Sequence, residues 1–285
     1  MPAKVVAVLN MKGGVGKTTI SAHVMREFYL RKLKKVLLLD LDPQFNLTQT
    51  VMKESNYDPL KAGNKTIFTA MEPPSTVGLF DVTTTSHAPP KASAIAVRLK
   101  QVTDKTSYLD LVSGNFALVK YSLPQSKGKL DLVRERFNRF VSEAKQDYDL
   151  IVIDCNPSSS FITMCALGVC SSVLTPVRPD RYSILGLDIL YQYVHGMPDI
   201  HPKPNFNILL NGIPRQGYDP KVENSLRAHN VFGPSVLVSR LYHSRILAAS
   251  ADYTGFATDK PVPHRSRIKA EIAKVIDELA VAWGV

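Results

Sequence analysis

Cysteine and histidine, which build many reactive centres, are scarce or scattered in this 285-residue chain. The 3 cysteines, at 155, 165 and 170, form no C-x-x-C pair, so neither a disulfide framework nor a paired metal site is indicated. The 7 histidines stand singly and lack the close spacing of zinc ligands. No serine or cysteine has a recognisable partner for nucleophilic catalysis. These absences argue against a zinc enzyme, an iron–sulfur protein and a covalent hydrolase.

Long hydrophobic runs are also missing. The longest apolar region, 161–177, is interrupted by glycine, serine and proline and is expected to form a helix followed by a strand. The apolar run near the start is too short for the hydrophobic region of a signal peptide. We therefore expect a cytoplasmic protein without stable membrane insertion.

An apolar run followed by a glycine-rich turn occupies residues 5–19. Residues 5–10 include several β-branched side chains, which is typical of a short strand buried on both faces. Glycines allow backbone N–H groups to wrap closely around an anion, and a helix beginning at Thr19 would favour negative charge at its N-terminus. The stretch is predicted to bind phosphate through Gly13, Gly14, Gly16 and Lys17.

The same stretch departs from the general P-loop in an informative way. Met11 stands where that pattern has its first glycine, and Lys12 follows it. The resulting K-G-G-V-G-K-T-T resembles the deviant Walker A motif of the ParA/MinD family of ATPases. The resemblance implies a homodimer that closes over two ATP molecules, with Lys12 contacting the partner's nucleotide. The expected nucleotide-binding residues are Lys12, Gly13, Gly14, Val15, Gly16, Lys17, Thr18 and Thr19.

Two apolar strands are predicted to end in carboxylates. Residues 36–42 end in Asp40 and Asp42, which share one strand face because side chains alternate. The segment resembles the family's D-x-D-P-Q stretch, which implies a catalytic role for Asp42 beside Lys12 and Lys17. A turn or capping role for Asp42 before Pro43 is the alternative.

The second such strand, 149–154, ends in an acid as a Walker B strand does. Asp154 is expected to hold Mg²⁺ directly or through water, together with Thr18 and Asp40. The following Cys155-Asn-Pro-Ser158 loosely resembles the family's switch II segment, with Asn156 where many members have a second proline. A solvated aspartate at the end of a buried strand is the alternative for Asp154.

The alternation of strands and helices predicts an α/β fold, with a doubly wound, mostly parallel sheet flanked by helices, of the P-loop NTPase type. We expect residues 1–285 to form one domain, with a loop-rich insertion around 53–106. Further strands are predicted at 108–113, 172–177 and 206–211. Asn211, at the end of the last one, is expected to contact adenine, although a turn role beside Gly212 is equally consistent.

A helix is predicted at 182–195, between two strands, and two helices with an apolar face are predicted from their spacing. The helix at 129–145 has an apolar face, with Arg134, Arg136 and Arg139 on the opposite face. The last, 267–282, mixes both charge signs on its polar face, which favours docking on the core over a membrane surface.

The formal net charge is +10 and the isoelectric point is near 9.4, so the surface should attract polyanions. Residues 201–285 carry 11 Lys and Arg against 7 Asp and Glu. They resemble the region of ParA-type members that contacts DNA non-specifically. The alternative is that these cations are ordinary solvated surface charges. The candidate DNA contacts are Arg215, Arg227, Arg240, Arg245, Arg265 and Arg267.

The favoured hypothesis is an ATPase that uses ATP and Mg²⁺, dimerises on ATP and binds DNA non-specifically. It would partition a plasmid, chromosome region or protein cargo with a ParB-like stimulating partner, and would be nucleoid-associated. The alternative is a MinD-like membrane-surface positioning ATPase. An iron–sulfur carrier of the same superfamily is disfavoured by the cysteine spacing.

Overall fold

The computed structural model describes residues 3–74, 78, 81–123, 125–180, 182–248 and 254–285. Eight strands form one sheet in the order β3-β4-β2-β5-β1-β6-β7-β8. All neighbouring pairs are parallel except β3 with β4. This arrangement confirms the predicted fold class. The strands are β1 Lys4–Val8, β2 Lys35–Asp40, β3 Val97–Gln101, β4 Tyr108–Val112, β5 Leu150–Asp154, β6 Ser172–Val177, β7 Asn205–Ile213 and β8 Val236–Tyr242.

Helices cover both faces of the sheet. They are α1 Lys17–Thr19, α2 Met25–Lys32, α3 Asn46–Val51, α4 Glu54–Ala62, α5 Ile67–Met71, α6 Ala92–Ile95, α7 Lys127–Ala144, α8 Phe161–Val169, α9 Ser183–Gly196, α10 Lys221–Arg227 and α11 Arg265–Trp283. A π-helical stretch, Ile20–Val24, joins α1 to α2, so one continuous helix follows the glycine-rich turn. Across the described ranges, no helix has both the length and the hydrophobicity needed to cross a bilayer.

The central strands are buried on both faces because their side chains alternate between two cores. Val5 and Ala7 face the core that includes residues of α5, α7 and α8, whereas Val6 and Val8 face the core of α2 and α11. The predicted apolar faces of 129–145 and 267–282 are buried in these two cores. Docking of the last helix on the protein core is therefore confirmed.

The prediction that Arg136 lies on the face of α7 opposite the apolar face is wrong. Its side chain is buried and donates to the carbonyl oxygens of His87, at 2.6 Å, and Thr69, at 3.3 Å. Both acceptors belong to the predicted insertion, which covers this part of α7. The helical spacing could not reveal that cover because it comes from a distant stretch of chain.

The segment around 53–106, where the structure describes it, includes regular elements between its loops. It contains α4, α5 and α6, and it contributes β3 to the sheet edge. A buried ion pair ties it to the rest of the chain: Lys120 Nζ lies 3.0 Å from Glu72 Oε2, and Tyr121 donates to Oε1 at 2.7 Å. The prediction also missed β8, which is an edge strand with irregular register.

The chain leaves β1 toward β2 on one side, while β6 pairs on the other side of β1. In parallel sheets such a reversal of strand order opens a crevice beyond the carboxyl ends of the strands, where ligands bind. The segments that follow β1, β2, β5, β6 and β7 all reach this edge, which is where the predicted site residues lie.

Candidate nucleotide-binding site

The loop between β1 and α1 has the backbone of an anion cradle. Gly14 and Gly16 have φ angles of 71° and 97°, a region that favours glycine. The Lys12 N–H donates to the Asn10 side-chain oxygen at 2.8 Å, and Gly16 caps the N-terminus of α1. An added Cβ at Gly13 or Gly14 would meet no atom within 4 Å, so the loop borders open space. This geometry fits a phosphate group at the helix N-terminus.

Lys17 is buried inside the loop. Its ammonium donates to the backbone oxygens of Asn10 and Lys12, both at 3.2 Å. Burial lowers the pKa of Lys17, and nearby Asp154 and Asp42 oppose that shift. The lysine is therefore held inside the cradle, with acids close by.

The Asp154 carboxylate, at the end of β5, accepts hydrogen bonds from two hydroxyl groups of the helix after the loop. Thr18 Oγ1 donates to one carboxylate oxygen at 2.9 Å and Ser21 Oγ donates to the other at 2.7 Å. Burial raises the pKa of Asp154 to about 6, against the effect of these hydrogen bonds. The structure thus brings Thr18 and Asp154 together as predicted. Ser21 was missed; its position three residues after Thr18 was the available signal.

The pairing of hydroxyl and carboxylate oxygens fits Mg²⁺, which prefers oxygen ligands and takes only one or two carboxylates. Among the described residues, no three His, Cys, Asp or Glu side chains form a group that could hold a metal. Phosphate oxygens and water would have to complete the coordination of an ion bound here.

Asp40 lies beside Asp154 in the parallel register of β2 and β5, but its carboxylate has other partners. One oxygen accepts from the Thr48 N–H at 2.8 Å and the Thr48 hydroxyl at 2.7 Å, and the other accepts from the Asp42 N–H at 3.3 Å. Complete burial raises the pKa of Asp40 to about 8. This geometry favours a structural role in holding the start of α3 over the direct Mg²⁺ contact that the sequence suggested.

Asp42 lies in the loop after β2 and is buried. Its carboxylate accepts from the Gln44 N–H at 2.9 Å and from the Asn46 side chain at 3.3 Å. Its charge influences the pKa of both Lys17 and Asp154, which places it in the same electrostatic site. The predicted catalytic position of Asp42 is compatible with this arrangement and stays a prediction.

Lys12 is held within its own chain. Its side chain is 43% exposed, and its ammonium forms an ion pair with Asp180 in the connection between β6 and α9. Asp180 also accepts from the Tyr182 N–H at 3.0 Å. Burial opposes ionisation of Asp180, but these contacts outweigh it and lower its pKa. Sequence reasoning missed Asp180, whose only signal was its place just beyond a strand end.

Asn211 packs directly on the phosphate loop. Its amide nitrogen donates to the Val15 carbonyl at 2.7 Å, and a side chain at Gly16 would collide with it. Asn211 lies within β7 rather than at its end, because β7 continues to Ile213. The Arg178 side chain packs against the neighbouring Gly212, and its Nε would lie 3.1 Å from a Cβ added at that glycine. Contact of Asn211 with adenine stays a prediction.

Most of the candidate DNA-binding arginines have partners within the protein. Arg215 makes two hydrogen bonds to Glu271, at 2.8 and 3.0 Å, and Arg267 pairs with the same carboxylate at 3.3 Å. Arg227 and Arg240 share Glu223, at 2.9 and 2.8 Å. Four of the six candidate arginines are therefore engaged by carboxylates of the same chain.

The other two candidates differ from each other. Arg265 donates to the backbone oxygens of Asp259 and Lys260, at 3.4 and 3.5 Å. Arg245, in the stretch after β8, is exposed. Of the six, Arg245 is therefore the cation best placed to meet an external phosphate.

A family model described as an AAA domain matches residues 3–208, which is more than half of the chain. Sporulation initiation inhibitor protein Soj of Bacillus subtilis is 27% identical over 220 residues, covering 74% of this chain and 71% of Soj. A ParA family protein of Chlamydia trachomatis is 28% identical over 203 residues, covering 70% of this chain and 68% of that protein.

Solved structures share the fold at low sequence identity. A putative plasmid partition protein from Borrelia burgdorferi bound to AMPPNP has a TM-score of 0.65 at 16% identity, covering 98% of this chain and 100% of that one. pNOB8 ParA bound to nonspecific DNA has a TM-score of 0.62 at 17% identity, covering 97% and 99%. Cobyrinic acid a,c-diamide synthase from Mycobacterium smegmatis, with an ATP analog and magnesium, has a TM-score of 0.70 at 20% identity, covering 99% and 96%. The family match, these relatives and the presence of Lys12 in the loop lead to one conclusion. The chain belongs to the AAA domain family and, within it, to the ParA/MinD group of deviant Walker A ATPases.

Proposed function

We propose that this protein is an ATP-dependent dimerising ATPase that binds DNA non-specifically and positions a cargo on it. The observation that carries the proposal is the composition of one loop. Buried Lys17 and the Thr18–Asp154 pair form a nucleotide site within the subunit, while Lys12 stands at its exposed rim. A second lysine at the rim is suited to a charge outside its own subunit.

Each residue would act by position and charge, since phosphoryl transfer needs little covalent chemistry from the protein. The loop N–H groups and Lys17 would bind the phosphates. Thr18 and Asp154 would hold Mg²⁺, which supplies charge neutralisation when bound. Asp42 would orient the attacking water, and Lys12 would stabilise charge on the partner subunit's nucleotide.

DNA is the favoured surface for the ATP-bound dimer. The net charge of +10 and the basic last third support it, and the related fold of pNOB8 ParA has been solved with nonspecific DNA. The apolar face of α11 is buried, so this helix has no apolar face to offer a membrane. A ParB-like protein would stimulate hydrolysis and release the dimer.

The proposal predicts ATP-dependent binding to DNA that requires Lys12. Wild-type protein, Lys12→Ala and the control Lys105→Ala, on an exposed turn, would be sedimented with plasmid DNA and with anionic vesicles, each with ATP and with ADP. We expect wild type and Lys105→Ala to sediment with DNA in ATP only. Lys12→Ala should bind nucleotide but remain in the supernatant. Sedimentation with vesicles and not with DNA would overturn the DNA proposal.

A further inference from the structure

Phe45, three residues after Asp42, has an unusual backbone. Its φ and ψ angles are 40° and 42°, in the left-handed region that glycine adopts readily and other residues adopt at a cost. Such a conformation persists only where the surroundings hold it, and it often marks a functional segment. We therefore expect a side-chain interaction of Phe45 to offset the cost of this backbone conformation.

The compensating interaction is a stack with Tyr57 of α4. The two rings are nearly parallel, with centroids 5.3 Å apart and an interplanar angle of 13°. Tyr57 is buried, and its hydroxyl donates to the Gly114 carbonyl at 3.2 Å. A Cβ at Gly114 would lie 2.5 Å from the Phe45 Cβ, so glycine is required for this close approach. Phe45 thus packs against α4 on one side and against the segment after β4 on another.

The stack is connected to Asp42 through short hydrogen bonds. The Phe45 N–H donates to the Asp42 carbonyl at 2.8 Å, and the Gln44 N–H donates to the Asp42 carboxylate at 2.9 Å. On the other side, the Gly114 N–H donates to the Thr48 hydroxyl at 2.9 Å. Displacing the Phe45 ring would therefore move the backbone that orients the Asp42 carboxylate.

Space for such a displacement exists beside the stack. A cavity of about 490 Å³ borders both rings and is also lined by Gln49, Met52 and Lys61. Phe45 is only half-buried, so its ring has a side open toward this cavity. The cavity leaves room for the ring to move, and the stack with Tyr57 holds it in the observed position.

We propose that Phe45 and Tyr57 form an aromatic clamp that positions the Asp42 loop for ATP hydrolysis. The proposal rests on the proposed ATPase function and assigns a role to α4, part of the predicted insertion. Both are positioning residues, because neither ring takes part in the phosphate cradle. The clamp should affect the rate of the chemical step and leave nucleotide binding, which depends on the β1–α1 loop, nearly unchanged.

The test is a double-mutant cycle on ATP turnover with Phe45→Ala, Tyr57→Ala and the combined variant. Stacked pairs of this kind correspond to a roughly three- to tenfold effect, so each single variant should lower kcat by about that factor. KM should stay within about twofold. The combined variant should be no slower than the slower single variant, because both changes remove the same interaction. Phe116→Ala, which removes an exposed ring of the segment after β4 that is not part of the stack, should match wild type.

Two further variants protect the test from misfolding. Tyr57→Phe keeps the stack and should retain most of the turnover, whereas Phe45→Gly removes the ring but relieves the backbone strain, and should still lower kcat. Unchanged kcat in Phe45→Ala and Phe45→Gly, or losses that multiply in the combined variant, would overturn the clamp. A rise in KM at constant kcat would also overturn it.

Amide hydrogen exchange separates this proposal from the ATPase proposal. In the nucleotide-free protein, the N–H groups of Gln44, Phe45 and Thr48 should exchange several-fold faster in Phe45→Ala than in wild type, because the loop is released more often. If wild type shows no turnover, the ATPase proposal fails, and exchange alone decides whether the clamp holds the loop. Equal exchange in both proteins would refute the clamp.

Discussion

The ion pair between Lys12 and Asp180 competes with any role of Lys12 in a second subunit. A lysine that contacts the partner's nucleotide must first leave the carboxylate of its own chain. Asp180→Asn removes the charge but keeps an oxygen that can accept from the Tyr182 N–H, so the start of α9 is preserved. We expect this variant to dimerise more tightly in ATP.

The structure sets the size of the effect. The side chains of Lys12 and Asp180 are 43% and 40% exposed, so the pair belongs to the exposed class, worth about 0.2 to 1 kcal/mol. One pair is lost in each subunit, which gives about 0.4 to 2 kcal/mol per dimer if the two act independently. The dimer dissociation constant should therefore fall by roughly two- to thirtyfold.

The assay is sedimentation equilibrium of wild type, Asp180→Asn and the control Asp188→Asn, on the α9 helix that follows Asp180, with ATP at low salt. The difference in dissociation constant between wild type and Asp180→Asn should shrink at about 1 M salt, where the Debye length is about 3 Å. An unchanged or weaker dimer in Asp180→Asn would refute the competition, and an equal gain in Asp188→Asn would assign it to net charge.

Two more predictions concern the acids after β2. Asp42→Ala should trap an ATP-bound dimer and lower phosphate release by at least about tenfold, as expected for loss of a group that orients the nucleophile; wild-type turnover would contradict its assignment. Asp40 has a pKa near 8 in the folded protein against an ordinary value of 3.8, so the folded state binds the extra proton. In metal-free protein, the contribution of Asp40 to stability should therefore be fully present below about pH 4 and be lost as the pH rises through about 8. Between about pH 5 and pH 8, wild type should lose roughly 4 kcal/mol more than Asp40→Asn in urea unfolding, and equal losses would contradict the raised pKa.

Local patterns predicted much of the fold. The buried strands and the amphipathic helices were recognisable because burial on a sheet or a helix face repeats at short, regular intervals. The predicted strand at 172–177 matches β6, and the predicted helix at 182–195 differs from α9 by one residue at each end. The edge strands β3 and β8 were missed, since they are less buried and carry weaker patterns.

Some residues of the candidate site could likewise be predicted from sequence, and others could not. The glycine-rich loop, Lys17 and the strand-end acids could be placed from sequence, because each is defined by its immediate neighbours along the chain. The partners of these groups could not. The Lys12–Asp180 pair joins residues 168 positions apart, and the bond from Asn211 to Val15 spans 196 positions.

Sequence alone therefore determined that this chain has a phosphate-binding loop, a parallel sheet and acids at strand ends. Tertiary structure decided the partners of these groups. The Thr48 hydroxyl donates a hydrogen bond to Asp40, and the Thr18 and Ser21 hydroxyls donate to Asp154. It also decided that Phe45 stacks on Tyr57. The physical reason is that strand order brings distant loops to one edge of the sheet, and no local pattern encodes that order.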